Sequence, residues 1–200
     1  MDNQKFENAE NIERDALLKC KDVLYKQLNI IEDNDTDVYI IISPPGSKDI
    51  YDALINVYKY GQKYRSFIIE VKVRNKEYNS LLLEKKKYDS LLKKQIEQRS
   101  FGFLDTKILY LNFTPKATYL FKISKHADYE WIKGEDNKYS VMKERGKVIK
   151  SKTYLETTAG DKLEYVYNYV LGENKLVERK LENQERVRCI FASLYKNEDK

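Results

Sequence analysis

The seven residues Phe67-Ile68-Ile69-Glu70-Val71-Lys72-Val73 constrain this chain more than any other stretch. Phe, Ile and Val favour a pleated, packed surface, so the run reads as a buried β-strand. Side chains alternate along a strand. Phe67, Ile69, Val71 and Val73 therefore share one face, and Glu70 and Lys72 emerge together on the other. Two residues of strand set the carboxylate and the ammonium about 6–7 Å apart, near enough to serve one phosphate and one metal. A carboxylate among apolar neighbours costs free energy unless a metal or partner compensates. A fold that buries this strand must also build a polar site beside it.

A second acid stands upstream. Tyr51 to Tyr58 is β-branched and aromatic with few breakers, and reads as another strand. Gly61-Gln62-Lys63 supplies a turn, which predicts an antiparallel hairpin. The hairpin would carry Asp52 towards Glu70. A small change of register would separate them, and Asp49 is then the alternative acid. Asp…Glu-x-Lys suits phosphodiester hydrolysis. Two carboxylates hold Mg²⁺ (or Mn²⁺), a hard cation that prefers oxygen ligands. The metal polarises the phosphate and helps generate hydroxide, while a lysine steadies or deprotonates the attacking water.

Asp52 followed by Glu70-Val71-Lys72 resembles the PD-(D/E)xK nuclease superfamily, which includes restriction, repair, recombination and phage nucleases. Tyr51 stands where that motif has proline. Glu84-Lys85-Lys86-Lys87-Tyr88 is similar to the Gln-x-x-x-Tyr helix motif of the exonuclease-like branch, with Glu in place of Gln. The resemblance spans roughly residues 5–125. It implies a restriction-endonuclease-like α/β core, a mixed central sheet flanked by helices. It also implies Mg²⁺-dependent hydrolysis of DNA by Asp52, Glu70 and Lys72.

Two hundred residues suit one domain, or a domain with an appendage. A hydrophobic content of 42% supports a core. The 37 basic and 32 acidic residues nearly cancel to a net charge of +5, which is compatible with a polyanionic partner and does not establish one. Cys20 and Cys189 are far apart and lack metal-ligand spacing, so a reduced cytoplasmic thiol state is expected, in a host cytoplasm if the chain is phage-encoded. His126 is the only histidine, which leaves histidine metal sites and Ser-His-Asp catalysis without support. No apolar run approaches the roughly 20 residues that cross a membrane, and Met1 to Lys5 carries no secretory pattern. Nothing in the sequence sets the oligomeric state.

Along the chain, residues 6–31 read as one amphipathic helix with Leu17, Cys20, Leu24, Leu28 and Ile31 on a face. Glu13 lies one turn before Leu17 and is a further candidate ligand, with Glu10 as its competitor. The alternative for Glu13 is a solvated acid at a helix start. The acidic run Glu32 to Asp37 lacks the glycine and distal glutamate of a calcium loop and reads as a polar turn. Val38 to Ile42 predicts a strand. Residues 78–98 read as a helix on which Glu84 and Tyr88 share a face and either support the metal site or pack as an ordinary half-buried stripe. Thr106 to Phe113 and Lys116 to Ile123 predict two more strands.

Residues 1–125 thus form the expected nuclease-like core, and 126–200 a C-terminal extension, β-rich then helical. Short strands are expected at Tyr129–Lys133, Lys138–Glu144 and Lys147–Glu156, then strand or helix at 163–171 and a helix at 173–195. Lys85, Lys87, Lys147, Lys150 and Lys152 are candidate DNA contacts, although a charge run is usually a solvated face. The competing readings are a nuclease-like fold retained as a structural or binding module, as in a phage particle, and a non-catalytic DNA-binding protein.

Overall fold

The computed structural model describes residues 3–44, 49–74, 76–140 and 143–167. Helix α1 (Asn3–Lys19) and helix α2 (Lys21–Leu28) replace the single expected helix. The break falls at Cys20, where ψ is −3°. Helix α2 ends at Asn29 in the left-handed region, φ 53°, with the Ile30 N–H donating to the Tyr25 carbonyl. That early stop rotates the chain. Ile30 is buried in place of the expected Ile31, which is 71% exposed.

Strands β1 (Thr36–Ile42), β2 (Ala53–Lys59) and β3 (Gln62–Val73) form an antiparallel meander. The β2–β3 hairpin turns on Tyr60 and Gly61, both at positive φ, as a two-residue loop requires. Strand β4 (Ser80–Glu84) and helix α3 (Lys85–Ser100) follow. Here the structure departs from the expected helix over 78–98. Ser80 to Glu84 alternates in burial, with Leu81 and Leu83 inward, and pairs with a later strand. Three consecutive leucines fit either period, and only the distant partner decides.

Strand β5 (Asp105–Phe113) runs parallel to β3, and β6 (Thr118–Ile123) turns back antiparallel. Two long strands, β7 (Ile132–Ser140) and β8 (Lys143–Glu156), form a hairpin where three short strands are expected. A 3₁₀ turn at Thr157–Ala159 leads to β9 (Asp161–Leu163). The large mixed sheet has the order β1-β2-β3-β5-β6-β9, and the small sheet the order β4-β8-β7. The fold is a mixed sheet with helices, of α+β class. Strand β8 pairs with β4 and strand β9 with β6, so the described part of the C-terminal segment is woven into the core. The expected helix at 173–195 lies outside the described residues.

The large sheet is buried on both faces. One face carries Phe67, Ile69 and Val71 against Leu17, Cys20, Leu24 and Leu28 of the first two helices. The other carries Ile68, Ile108 and Tyr110 against Leu91 of α3 and Leu81, Leu83 and Leu155 of the small sheet. Glu70 and Lys72 alternate with the first set. They project on the side covered by α3 and β4, at the end where β2 enters the sheet.

Candidate active site

The hairpin register decides where Asp52 sits. Ala53 pairs with Ile69, and the Asp52 N–H still donates to the Ile69 carbonyl at 2.9 Å. There the ladder ends, and the next inward N–H, that of Val71, donates to Asp52 Oδ2 at 2.6 Å. The Asp52 side chain replaces a backbone carbonyl and is pinned beside the Glu70–Lys72 segment. Asp49 takes a different place: its Oδ2 accepts from Ser43 Oγ at 2.7 Å.

Lys72 Nζ is the centre of the site. It lies 3.1 Å from Glu70 Oε1, 3.3 Å from Glu13 Oε1 and 4.0 Å from Asp52 Oδ2. It also donates to the Val71 carbonyl at 2.7 Å. The expected trio therefore converges, and α1 delivers Glu13 to the same point. The side chain of its competitor Glu10 lies outside the described residues.

Helix α3 adds a group that sequence reasoning placed elsewhere. Lys87, expected on a DNA-facing surface, points inward. Its Nζ lies 2.7 Å from Glu70 Oε2 and 3.1 Å from the Ile50 carbonyl, to which it donates. The Glu70 Oε2 contact is a close charge pair rather than an aligned hydrogen bond. Glu70, 1% exposed, is thus held between two ammonium groups. A buried carboxylate needs such compensation.

Burial pushes the Glu13 carboxyl from an ordinary 4.5 up to about 7, opposed by the Lys72 ammonium and reinforced by Asp52 and Glu70. Burial likewise holds Glu70 above the usual carboxylate range against the pull of Lys72 and Lys87. Burial acts to lower Lys72, but Glu70, Glu13 and Asp52 together outweigh it and hold the ammonium charged. Lys72 in this arrangement is a hydrogen-bond donor and a positive charge, not a free amine.

The other sequence candidates lie apart from this centre. Glu84 sits at the end of β4, in the N-cap position of α3 but without a side-chain cap, and accepts from Lys150 Nζ at 2.7 Å. It borders the cleft formed by Glu70, Lys72, Arg74, Leu82, Leu83, Lys87 and Tyr110. Tyr88 is buried in an aromatic cluster with Tyr129 and Trp131, and its hydroxyl donates to the Ser124 carbonyl. That is packing, and the shared face expected for Glu84 and Tyr88 does not exist because the helix begins after Glu84. Lys85 pairs with Asp89 at 2.8 Å and lies over the Trp131 ring. Lys152 stands opposite Glu84 in the β4–β8 ladder, and the Lys147 side chain is outside the described residues.

Five oxygens, four carboxylate and one carbonyl, lie within 4.0 Å of a single cation, the Lys72 ammonium. The donor set is all oxygen, which fits Mg²⁺ or Mn²⁺ rather than zinc. Among the described residues no three acids, histidines or cysteines close into a ready-made metal cage; the lysine stands between the carboxylates instead. No helix among the described residues is long and apolar enough to cross a membrane. No protein-family model, curated protein or solved structure matches this chain.

Proposed function

We propose that the protein is a Mg²⁺- or Mn²⁺-dependent nuclease that hydrolyses phosphodiester bonds of DNA in a reducing, cytoplasmic setting. One observation carries the reading: Glu13, Asp52 and Glu70, from three separate elements, converge on Lys72 Nζ. A scaffold has no need to bring three acids to one half-buried point, where mutual repulsion and burial both cost free energy. Asp52, Glu70 and Glu13 would hold the cation, with Lys72 displaced from between them towards the substrate. The bound ion would supply Lewis-acid polarisation of the phosphate and a more acidic water. Lys72, kept charged, orients the nucleophilic water and stabilises negative charge as it develops on the phosphoryl oxygens. Asp52, fixed by the Val71 N–H, and Glu70, fixed by Lys87, keep the carboxylates from swinging away.

The test is a cleavage panel of linear, circular, single-stranded and branched DNA with Mg²⁺ or Mn²⁺, run beside Glu70→Gln and Lys72→Ala. Wild-type cutting that both variants lose supports the reading. Intact substrates with wild-type protein across the panel overturn it.

A second reading has its own support. Lys72 and Lys87 already neutralise Glu70 without a metal. A nuclease-like fold retained as a binding or structural module would be stable in that state. Mg²⁺ titration that leaves the melting temperature unmoved would favour it.

A further inference from the structure

Glu70 and Lys72 of β3 and Arg74, one residue past its end, follow the same alternation, so a carboxylate, an ammonium and a guanidinium stand in one row on backbone positions about 6–7 Å apart. Arg74 continues the parallel pairing, its N–H donating to the Phe113 carbonyl at 2.7 Å. The row forms one wall of the cleft whose other walls are Leu82 to Glu84 of β4, Lys87 of α3 and Tyr110 of β5.

The cations in that cleft are not equivalent. Lys72 and Lys87 are committed to Glu70, and the nearby Glu84 is committed to Lys150. Arg74 pairs with no carboxylate among the described residues. Among the described residues its one side-chain hydrogen bond is donated at 3.3 Å to the Tyr110 hydroxyl, which itself donates to the Leu82 carbonyl at 2.7 Å. Its Nε is buried without a hydrogen-bond partner. A half-buried guanidinium, steadied from one side by a tyrosine and carrying unused donors, matches the planar fork that binds a phosphodiester.

We infer that Arg74 binds a backbone phosphate of DNA adjacent to the one held at the Lys72 centre, and so sets the direction in which the strand crosses the site. The inference rests on the nuclease reading for which phosphate is cut, but not for the binding itself. Leu82 and Leu83 give the cleft an apolar wall where screening by water is weak, which strengthens a charge-assisted contact. Tyr110 is a positioning residue: its ring and hydroxyl keep the guanidinium from folding away from the cleft.

The test is equilibrium binding of short fluorescein-labelled DNA, single-stranded and duplex, followed by anisotropy in Ca²⁺ and in EDTA across a salt series. Arg74→Gln should weaken binding by about 5- to 50-fold and lower the magnitude of the salt slope by about one. Arg74→Lys, which keeps charge but loses the fork, should fall between, and its melting temperature controls for folding. Arg74→Gln that binds with wild-type affinity and salt slope overturns the inference, as does wild-type protein that binds neither DNA. Arg74-dependent binding by a wild-type protein that never cuts DNA leaves this site standing and removes the nuclease reading alone. Cutting with Arg74-independent binding does the reverse.

Discussion

Asp52 Oδ2 accepts a 2.6 Å hydrogen bond from the backbone N–H of Val71, the residue between Glu70 and Lys72. One side chain therefore does two things: it finishes a β-ladder and brings a carboxylate to within 4.0 Å of the Lys72 ammonium. Substitution separates the two. Asp52→Asn keeps an acceptor and removes the charge, so cleavage should fall at least about 100-fold with little loss of stability. Asp52→Ala should also strand the Val71 N–H and cost roughly 1–3 kcal/mol more in urea unfolding. Equal stability of the two variants would show that the hydrogen bond has no structural role.

Glu70 lies between Lys72 and Lys87, and removal of either amine leaves a buried charge undercompensated. Lys87→Met should destabilise the metal-free protein by about 1–3 kcal/mol, less than the loss of a sole partner would, because Lys72 remains. Mg²⁺ should restore part of that loss. At a hundredfold excess over its Kd, the ion adds about 2.7 kcal/mol to wild type. Thermal melts with and without Mg²⁺ check both, and Glu70→Gln should show no Mg²⁺ response.

Glu13 makes the metal-free protein sensitive to pH. Its folded-state pKa of about 7 exceeds the ordinary 4.5, so the native state binds more protons than the unfolded chain between those values. Stability should accordingly be full below about 4.5 and fall as pH rises through 7, by on the order of 1–2 kcal/mol from this group. Glu13→Gln in EDTA should flatten that window. Mg²⁺ requires the ionised carboxylate, so its affinity should rise with pH over the same range. Urea titrations from pH 5 to 8 measure both slopes, and a wild-type curve already flat there would contradict the assignment.

Cys20 is fully buried at the junction of α1 and α2, and burial pushes its thiol up to about 12. Its thiolate is scarce at neutral pH, and iodoacetamide needs the thiolate. Peptide mass spectrometry should find Cys20 unmodified in native protein and alkylated after denaturation. Modification at equal rates in both states would mean that the helix junction opens freely.

Gly160 lies against the Phe121 ring, where an added Cβ would come within 2.8 Å of a ring carbon. Phe121 is buried in the core between the large sheet and α3, so the ring cannot yield cheaply. Gly160→Ala should cost about 1–3 kcal/mol through overpacking. An unchanged midpoint of unfolding would show that β9 docks only loosely on β6.

The part of the site that was legible in the sequence is the part set by alternation. Glu70 and Lys72 share a face because the strand period is two, whereas the register that carries Asp52 to them includes a shift between Val57 and Tyr58 that the turn residues do not fix. Arg74 was legible by the same rule, one more step along the strand, and was overlooked. Lys87 was not legible. Three consecutive lysines open α3, and with its start misplaced into Ser80–Glu84 the inward one could not be told from its neighbours.

The sequence by itself determined β1, β2, β3, β5 and β6, the β2–β3 hairpin and the placing of an acid and an amine on one sheet face. These follow from local sterics and from the cost of burying polar groups, which act within a few residues. Only the tertiary structure decided that Glu13 and Lys87 join them, that Ser80–Glu84 is a strand, and that Tyr88 belongs to packing. Each of those depends on a partner far along the chain: β3 for Glu13 and Lys87, β8 for β4, and Tyr129 and Trp131 for Tyr88. Long-range contacts of this kind override local preference because burial, not propensity, supplies most of the free energy.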